Sequence, residues 1–322
     1  MKSLPSFAAI MCLGVAALWS GQQLQETFAQ EPASAKSTDK PQKDSENDAP
    51  PKEKPVLRRN EASGTVALVT LQDARAKLLT YRTVRAKVTE VVSLGDRQFR
   101  MEGSYLQGTD LKVRVEYKVQ VGGTEGRLLE VCDGRLLWTH QQVGKEQRVS
   151  RRDVRQILDA AATPDRSPDD MLQAELGLGG LGGLLASIQS SVQFEKQWEQ
   201  DFDGVPFVVI DGTWRVEQRQ KFLGPNATAD DALPALVPDR IRVYFQKDVL
   251  FPRRIMYLKR PGKGKAPRPM LSIDFTDVAW NIDVGDEAFK FERPENVDPQ
   301  DVTEGYLKQF GKGKANSKTE TR

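Results

Sequence analysis

The chain has 322 residues, 47 of them basic and 45 acidic, for a formal net charge of +2. The two signs interleave, so no basic stripe with alternating aromatics offers itself to nucleic acid. Cys12, Cys132 and His140 are the only cysteines and histidine, which excludes a disulfide-dense scaffold and a histidine-rich metal centre.

Residues 1–29 read as a secretory signal. Lys2 is the positive start, Phe7–Trp19 the apolar run, and Thr27-Phe28-Ala29 the small-residue cleavage stretch, with Ala33-Ser34-Ala35 as a second option. An apolar run of ~13 residues is too short to span a bilayer. Cys12 lies inside that run behind Met11, a poor context for a lipidated cysteine. The expected location is therefore the periplasm or outside the cell. Residues 30–61 are rich in Pro, Lys, Asp, Ser and Glu and read as a disordered tether, and residues 311–322 as a similar polar tail. The folded domain is expected over 62–310.

Val66, Val69, Leu71, Ala74, Leu78 and Leu79 recur near helical spacing and predict an opening helix over Thr65–Tyr81. Strands are predicted at Val84–Val92 and Gln98–Leu106, around the turn signal Gly95-Asp96. Leu111–Val121 then alternates without exception, apolar at odd positions and polar at even ones. Such a strand has one greasy and one wet face, and at ~3.4 Å per residue it spans roughly 37 Å. Strands Arg127–Cys132 and Arg135–Gln142 flank Asp133-Gly134, a two-residue hairpin signal that pairs Leu129 with Trp138 and Cys132 with Arg135.

Ser150–Leu158 reads as a short helix capped by Ser150, and Ser167-Pro-Asp-Asp starts another. The second runs into a Gly-Leu segment carrying Leu176, Leu178, Leu181, Leu184 and Leu185. Composition leaves two readings of it: a connection between sheet halves, or an apolar lid loosened by its glycines. Strands resume near Val192–Trp198, Val205–Ile210, Thr213–Gln220, Arg240–Gln246, Arg253–Leu258, Met270–Trp280 and Ala288–Phe291, with Asp211-Gly212 as another turn. Short turns between most of these strands predict a mainly β, antiparallel sheet of about 11 strands. The basic run Lys259–Arg268 reads as a solvated hairpin loop, and the sequon Asn226-Ala-Thr228 is a common chance pattern.

Catalytic patterns fall away on inspection. Gly177–Gly182 spells G-x-G-x-x-G, but a dinucleotide site needs a preceding strand and a βαβ unit. Cys132 and His140 sit about five ladder positions apart in the predicted hairpin, roughly 17 Å, too far for a dyad. A glycosidase would need two of Asp201, Asp203, Asp211, Asp274, Asp277, Asp283, Asp286 and Glu287 to meet, and strand-end acids are usually solvated turn residues. No enzyme and no cofactor are expected.

Two segments carry a family resemblance. Asp133-Gly-Arg-Leu-Leu-Trp138 and Phe289-Lys-Phe-Glu-Arg-Pro294 match the Asp-Gly-x-x-x-Trp hairpin and terminal Phe-x-Phe-x-x-Pro segment of the LolA/LolB superfamily of periplasmic lipoprotein carriers. The chain resembles that superfamily over about Val66–Val297. The Gly-Leu insertion and the long tether depart from it. The resemblance implies a strongly curved, unclosed half-barrel with helices over its concave face, and a cavity that takes up acyl chains. Val113, Val115, Tyr117, Val119, Leu129 and Trp138 would then form the cavity wall. Residues 150–190 would form the lid insertion, with Leu176, Leu178, Leu181, Leu184 and Leu185 on it. The family's lid-locking arginine would be one of Arg82, Arg85, Arg97 and Arg100. The expected partner is a lipid or acylated lipoprotein, with an envelope membrane protein as a further one, bound by a monomer. Two alternatives stay open: a sensor module of the same fold for envelope stress or signalling, and a β-sandwich for adhesion or glycan binding.

Overall fold

A computed structural model describes residues 59–308, apart from 96, 122–123, 165–170, 172–173, 230 and 263–264 and a few flanking side chains. The signal, nearly all of the tether, the polar tail and the helix start at Ser167 lie outside the described residues.

Thirteen strands form one open sheet. They are β1 (Arg59–Ser63), β2 (Val84–Leu94), β3 (Arg97–Gln107), β4 (Lys112–Val121), β5 (Thr124–Asp133), β6 (Leu136–Val143), β7 (Glu146–Asp153), β8 (Val192–Phe202), β9 (Val205–Trp214), β10 (Arg240–Gln246), β11 (Phe251–Lys259), β12 (Arg268–Trp280) and β13 (Gln300–Asp301). The order is β1-β8-β9-β10-β11-β12-β2-β3-β4-β5-β6-β7-β13. Two antiparallel meanders, β2 to β7 and β8 to β12, are therefore joined through the β12–β2 pair. The sheet curves into an unclosed half-barrel. A single sheet rules out the β-sandwich alternative, which needs two.

This order explains where the helices go. The chain leaves β7 near one edge and re-enters at β8 near the other. The connection runs through α2 (Val154–Ala161), a 3-10 turn (Leu176–Leu178) and α3 (Gly180–Ser191), and α3 packs against β4. Helix α1 (Gly64–Leu78) lies on β8, β9 and β11 and touches α3. Its buried stripe is Ala67, Leu71, Ala74 and Leu78, while Val66, Val69 and Leu79 of the predicted stripe face solvent. Helices α4 (Val216–Leu223) and α5 (Thr303–Leu307) complete the set. No helix among the described residues is long and apolar enough to cross a membrane.

Several local readings need correction. The β5–β6 turn is centred one residue later than predicted, so Cys132 pairs with Leu137, Val131 with Trp138 and Leu129 with His140. The Asp133 carboxylate accepts from the Arg135 and Leu136 amides and so stabilises the shifted turn. Ser150 is not a helix cap. β7 runs through it, and α2 starts behind Asp153, whose carboxylate accepts from the Gln156 amide at 2.9 Å. Asp211-Gly212 is not a turn but the interior of β9. The hairpin lies at Asp203-Gly204, where both residues take positive φ (48° and 79°), as a type I′ turn requires. Residues after Val216 form α4 rather than a strand, and Asp286–Phe289 is a 3-10 turn.

Candidate functional site

The alternating strand β4 sets the concave wall. Val113, Val115, Tyr117 and Val119 face inward and are all at least nine-tenths buried. Pairing extends this face sideways: one row runs Ile210, Val243, Ile255, Ile273, Glu90, Met101 and Val119 across seven strands. That row is apolar apart from the fully buried Glu90, and Glu130, which pairs with Val115, places a second carboxylate on the wall beside Gly179.

Among the described residues the concavity is occupied rather than open. The chain's own α3 fills the concavity, with Leu181, Leu184, Leu185 and Ile188 buried in the same cluster as the wall. Leu178 packs against that cluster half-buried, and the Leu176 side chain lies outside the described residues. Two described clefts lie elsewhere on the surface, one of about 520 Å³ lined by Asp133, Arg151, Asp153 and Asp301 among others, the other of about 400 Å³ beside Pro225 and Asp231.

Leu129 and Trp138 are not wall residues. They share a face with Val131 and Arg114, opposite Val113, because adjacent residues of a strand point to opposite sides. The C-terminal segment covers them there: Phe291 stacks on Trp138 at 5.0 Å between ring centroids. His140 lies on that outer face and Cys132 on the inner one, so no dyad forms. Burial pushes the Cys132 thiol up to about 11, and the Gly134 amide and nearby arginines offset this only in part, so it is a neutral core residue. Most of the carboxylates weighed for a glycosidase pair are bound to cations instead: Asp277 to Lys87, Asp283 to Arg82, Asp286 to Lys112 and Asp274 to Arg254.

Three contacts hold α3 and its entry down, and none was legible in the sequence. The Leu181 amide is one of the first N–H groups of α3, which have no partner within the helix. It donates to the Tyr105 hydroxyl, which donates to Gln107 Oε1 at 2.6 Å; Gln107 Nε2 in turn donates to the Leu78 carbonyl at 3.0 Å. Burial raises the Tyr105 phenol well above its ordinary value, and the Leu181 N–H opposes this. The second contact is Arg152, 8% exposed, whose Nε donates to the Gly177 carbonyl at 2.6 Å. The third is Arg75 of α1, which pairs with Glu175 and donates to Gln189 of α3. Arg82 and Arg100 sit elsewhere, on Asp283 and Glu102; Arg85 is exposed, and the Arg97 side chain lies outside the described residues.

The chain enters α3 through a glycine elbow. Gly179 and Gly180 take φ of 69° and 56°, a region that other residues enter at a cost. A Cβ on Gly180 would meet Val113 Cγ2 at 2.8 Å, so the elbow lies flat on the wall because it has no side chains there.

Tyr105→Phe keeps the ring, which meets Phe275 edge-on at 5.9 Å, and removes only the hydroxyl. It is expected to cost about 1–2 kcal/mol by leaving the Leu181 amide unsatisfied. Hydrogen exchange of the Leu181–Gly183 amides reads the effect; unchanged exchange would remove Tyr105 from the lid contacts.

No family model matches the chain, and no curated protein matches it. Among solved structures it is similar to MucB at 13% identity, over 72% of this chain and 65% of that one, with a TM-score of 0.35. It is similar to a putative outer membrane lipoprotein-sorting protein domain from Vibrio parahaemolyticus at 11% identity, over 70% and 97%, with a TM-score of 0.31. It is also similar to a LolA superfamily protein from Nitrosomonas europaea at 10% identity, over 71% and 98%, with a TM-score of 0.28. The match spans less than two thirds of the MucB chain. Likeness at this depth identifies no activity, and a functional reading has to rest on the wall and its lid.

Proposed function

We propose that the chain is a non-enzymatic binding protein of the periplasm or cell exterior. It takes up an acyl chain, of a lipid or an acylated lipoprotein, on the concave wall when α3 lifts away. The observation that carries this reading is the wall itself: a largely apolar face, broken by Glu90 and Glu130, covered by a short Gly-Leu helix on a glycine elbow. The helix stands where the ligand's hydrocarbon would lie.

The energetics permit such an exchange. Uncovering Leu181, Leu184, Leu185 and Ile188 costs roughly 1.5–3 kcal/mol each, so about 6–12 kcal/mol together. Burying a hydrocarbon chain returns ~0.8 kcal/mol per CH₂, so a chain of about sixteen carbons returns roughly 13 kcal/mol. Glycines 182 and 183 weaken the helix by about 1 kcal/mol each and favour the exchange further. A short-chain ligand falls below this balance and leaves the lid closed.

Native mass spectrometry of protein recovered from its own envelope tests the reading. A bound lipid or acylated peptide is the expected result. Repeated recovery of bare protein, together with no uptake of a long-chain lipid from vesicles, would overturn it.

A further inference from the structure

After β12 the chain returns to the far edge of the sheet. β13 pairs with β7 through two residues only, Gln300 beside Ser150 and Asp301 beside Arg151. It is the one parallel pairing among the described strands. Parallel pairs are slightly weaker per residue than antiparallel ones, and two residues is far below the usual strand length of about 5–6.

This short strand nevertheless anchors a chain of contacts that ends on the lid. The Asp301 carboxylate meets Arg151 at 3.1 Å, and the Val302 amide donates to the Arg151 carbonyl at 2.9 Å. The Asp153 amide donates to the Thr303 hydroxyl at 3.0 Å. Tyr306 then sits against the Arg152 guanidinium, 5.3 Å from its ring centroid, and against Gly177, where an added Cβ would lie 3.3 Å from the ring. Arg152 is the residue that holds the Gly177 carbonyl. The C-terminal segment, Arg152 and the 3-10 turn that leads into the glycine elbow are thus in direct contact.

We propose that the β7 edge is a strand-acceptor site for an extended acidic peptide of a partner protein, and that the peptide releases the lid by displacing Gln300–Leu307. Strand addition to a sheet edge needs only backbone pairing and a fitting side chain. The side-chain requirement is set by Arg151, on the face of β7 opposite the buried Arg152, and the resident strand answers it with Asp301. A longer acidic strand gains more ladder bonds than the two-residue resident. Displacement lifts Tyr306 from Arg152 and Gly177, so the elbow loses its outer support.

The test uses the full chain and hydrogen exchange of residues 176–183, so it does not depend on what the concave wall binds. The probe is a synthetic peptide copying residues 298–307 with Tyr306→Ala. At saturation it is expected to speed elbow exchange about tenfold, while the same peptide with Asp301→Lys has no effect. Tyr306→Ala in the full chain is expected to give a similar acceleration without peptide. Unchanged elbow exchange in the Tyr306→Ala chain would overturn the coupling. Acceleration in that chain with no response to the acidic peptide would overturn the acceptor site.

Discussion

Gly180→Leu is expected to loosen the lid on the wall. The residue sits at φ 56°, where a side chain costs about 1–2 kcal/mol. Its Cβ would also fall 2.8 Å from Val113 Cγ2, and overpacking of this kind costs about 1–3 kcal/mol. Both penalties vanish if the elbow lifts. The variant should therefore lose roughly 2–5 kcal/mol of stability in denaturant unfolding. Its amides over Leu181–Ile188 should exchange faster than those of the parent chain. Gly182 is the control, because a Cβ there meets nothing within 4 Å. Gly182→Ala should stabilise α3 by about 0.5–1 kcal/mol and leave the lid closed. Equal behaviour of the two variants would show that the elbow's fit to Val113 does not govern closure.

Asp211→Ala has the largest expected effect on stability. The carboxylate is fully buried on the outer face, opposite the wall, and accepts from Arg240 Nε at 2.9 Å and Arg242 Nε at 2.8 Å. Burial alone would lower both guanidinium pKa values, yet both are raised: Asp211 and Glu195 outweigh burial at Arg240, and Tyr244 and Asp211 do so at Arg242. Arg242 also lies over the Trp198 ring at 5.1 Å. Removing the acid leaves two partly buried cations facing each other, so a loss of about 3–5 kcal/mol is expected. Because Asp211 faces away from the wall, lipid uptake per folded molecule should not change. A small stability loss would mean that solvent already screens the cluster.

The parts of this fold that were legible in the sequence are those that depend on strand period. Alternation in β4 separates Val113, Val115, Tyr117 and Val119 from Arg114 and Glu116, and the structure keeps that separation. Placing Leu129 and Trp138 on the same wall failed for a definite reason. Their positions had to be carried across the sheet from β4, and no local signal says which face of β5 continues the β4 wall. The Asp-Gly pairs failed differently. Three occur, and only long-range partners distinguish them: Asp211 is drawn into a strand by two arginines from β10, whereas Asp203 has freedom to turn. The lid contacts of Tyr105, Arg75 and Arg152 join residues far apart in the chain. β13 is too short to leave a periodic trace.

The most direct measurement uses a lid that can be locked. A Cβ built at Gly180 lies 3.7 Å from Val113 Cβ, within the ~3.5–4.5 Å range that a disulfide spans. A Val113→Cys/Gly180→Cys chain, with Cys12 and Cys132 replaced by alanine, can be closed by oxidation and reopened by reduction. Transfer of a long-chain fluorescent lipid from vesicles is then followed in both states. The concave wall as binding site predicts no uptake when oxidised and recovery on reduction. Equal uptake by the oxidised and reduced chains would contradict it.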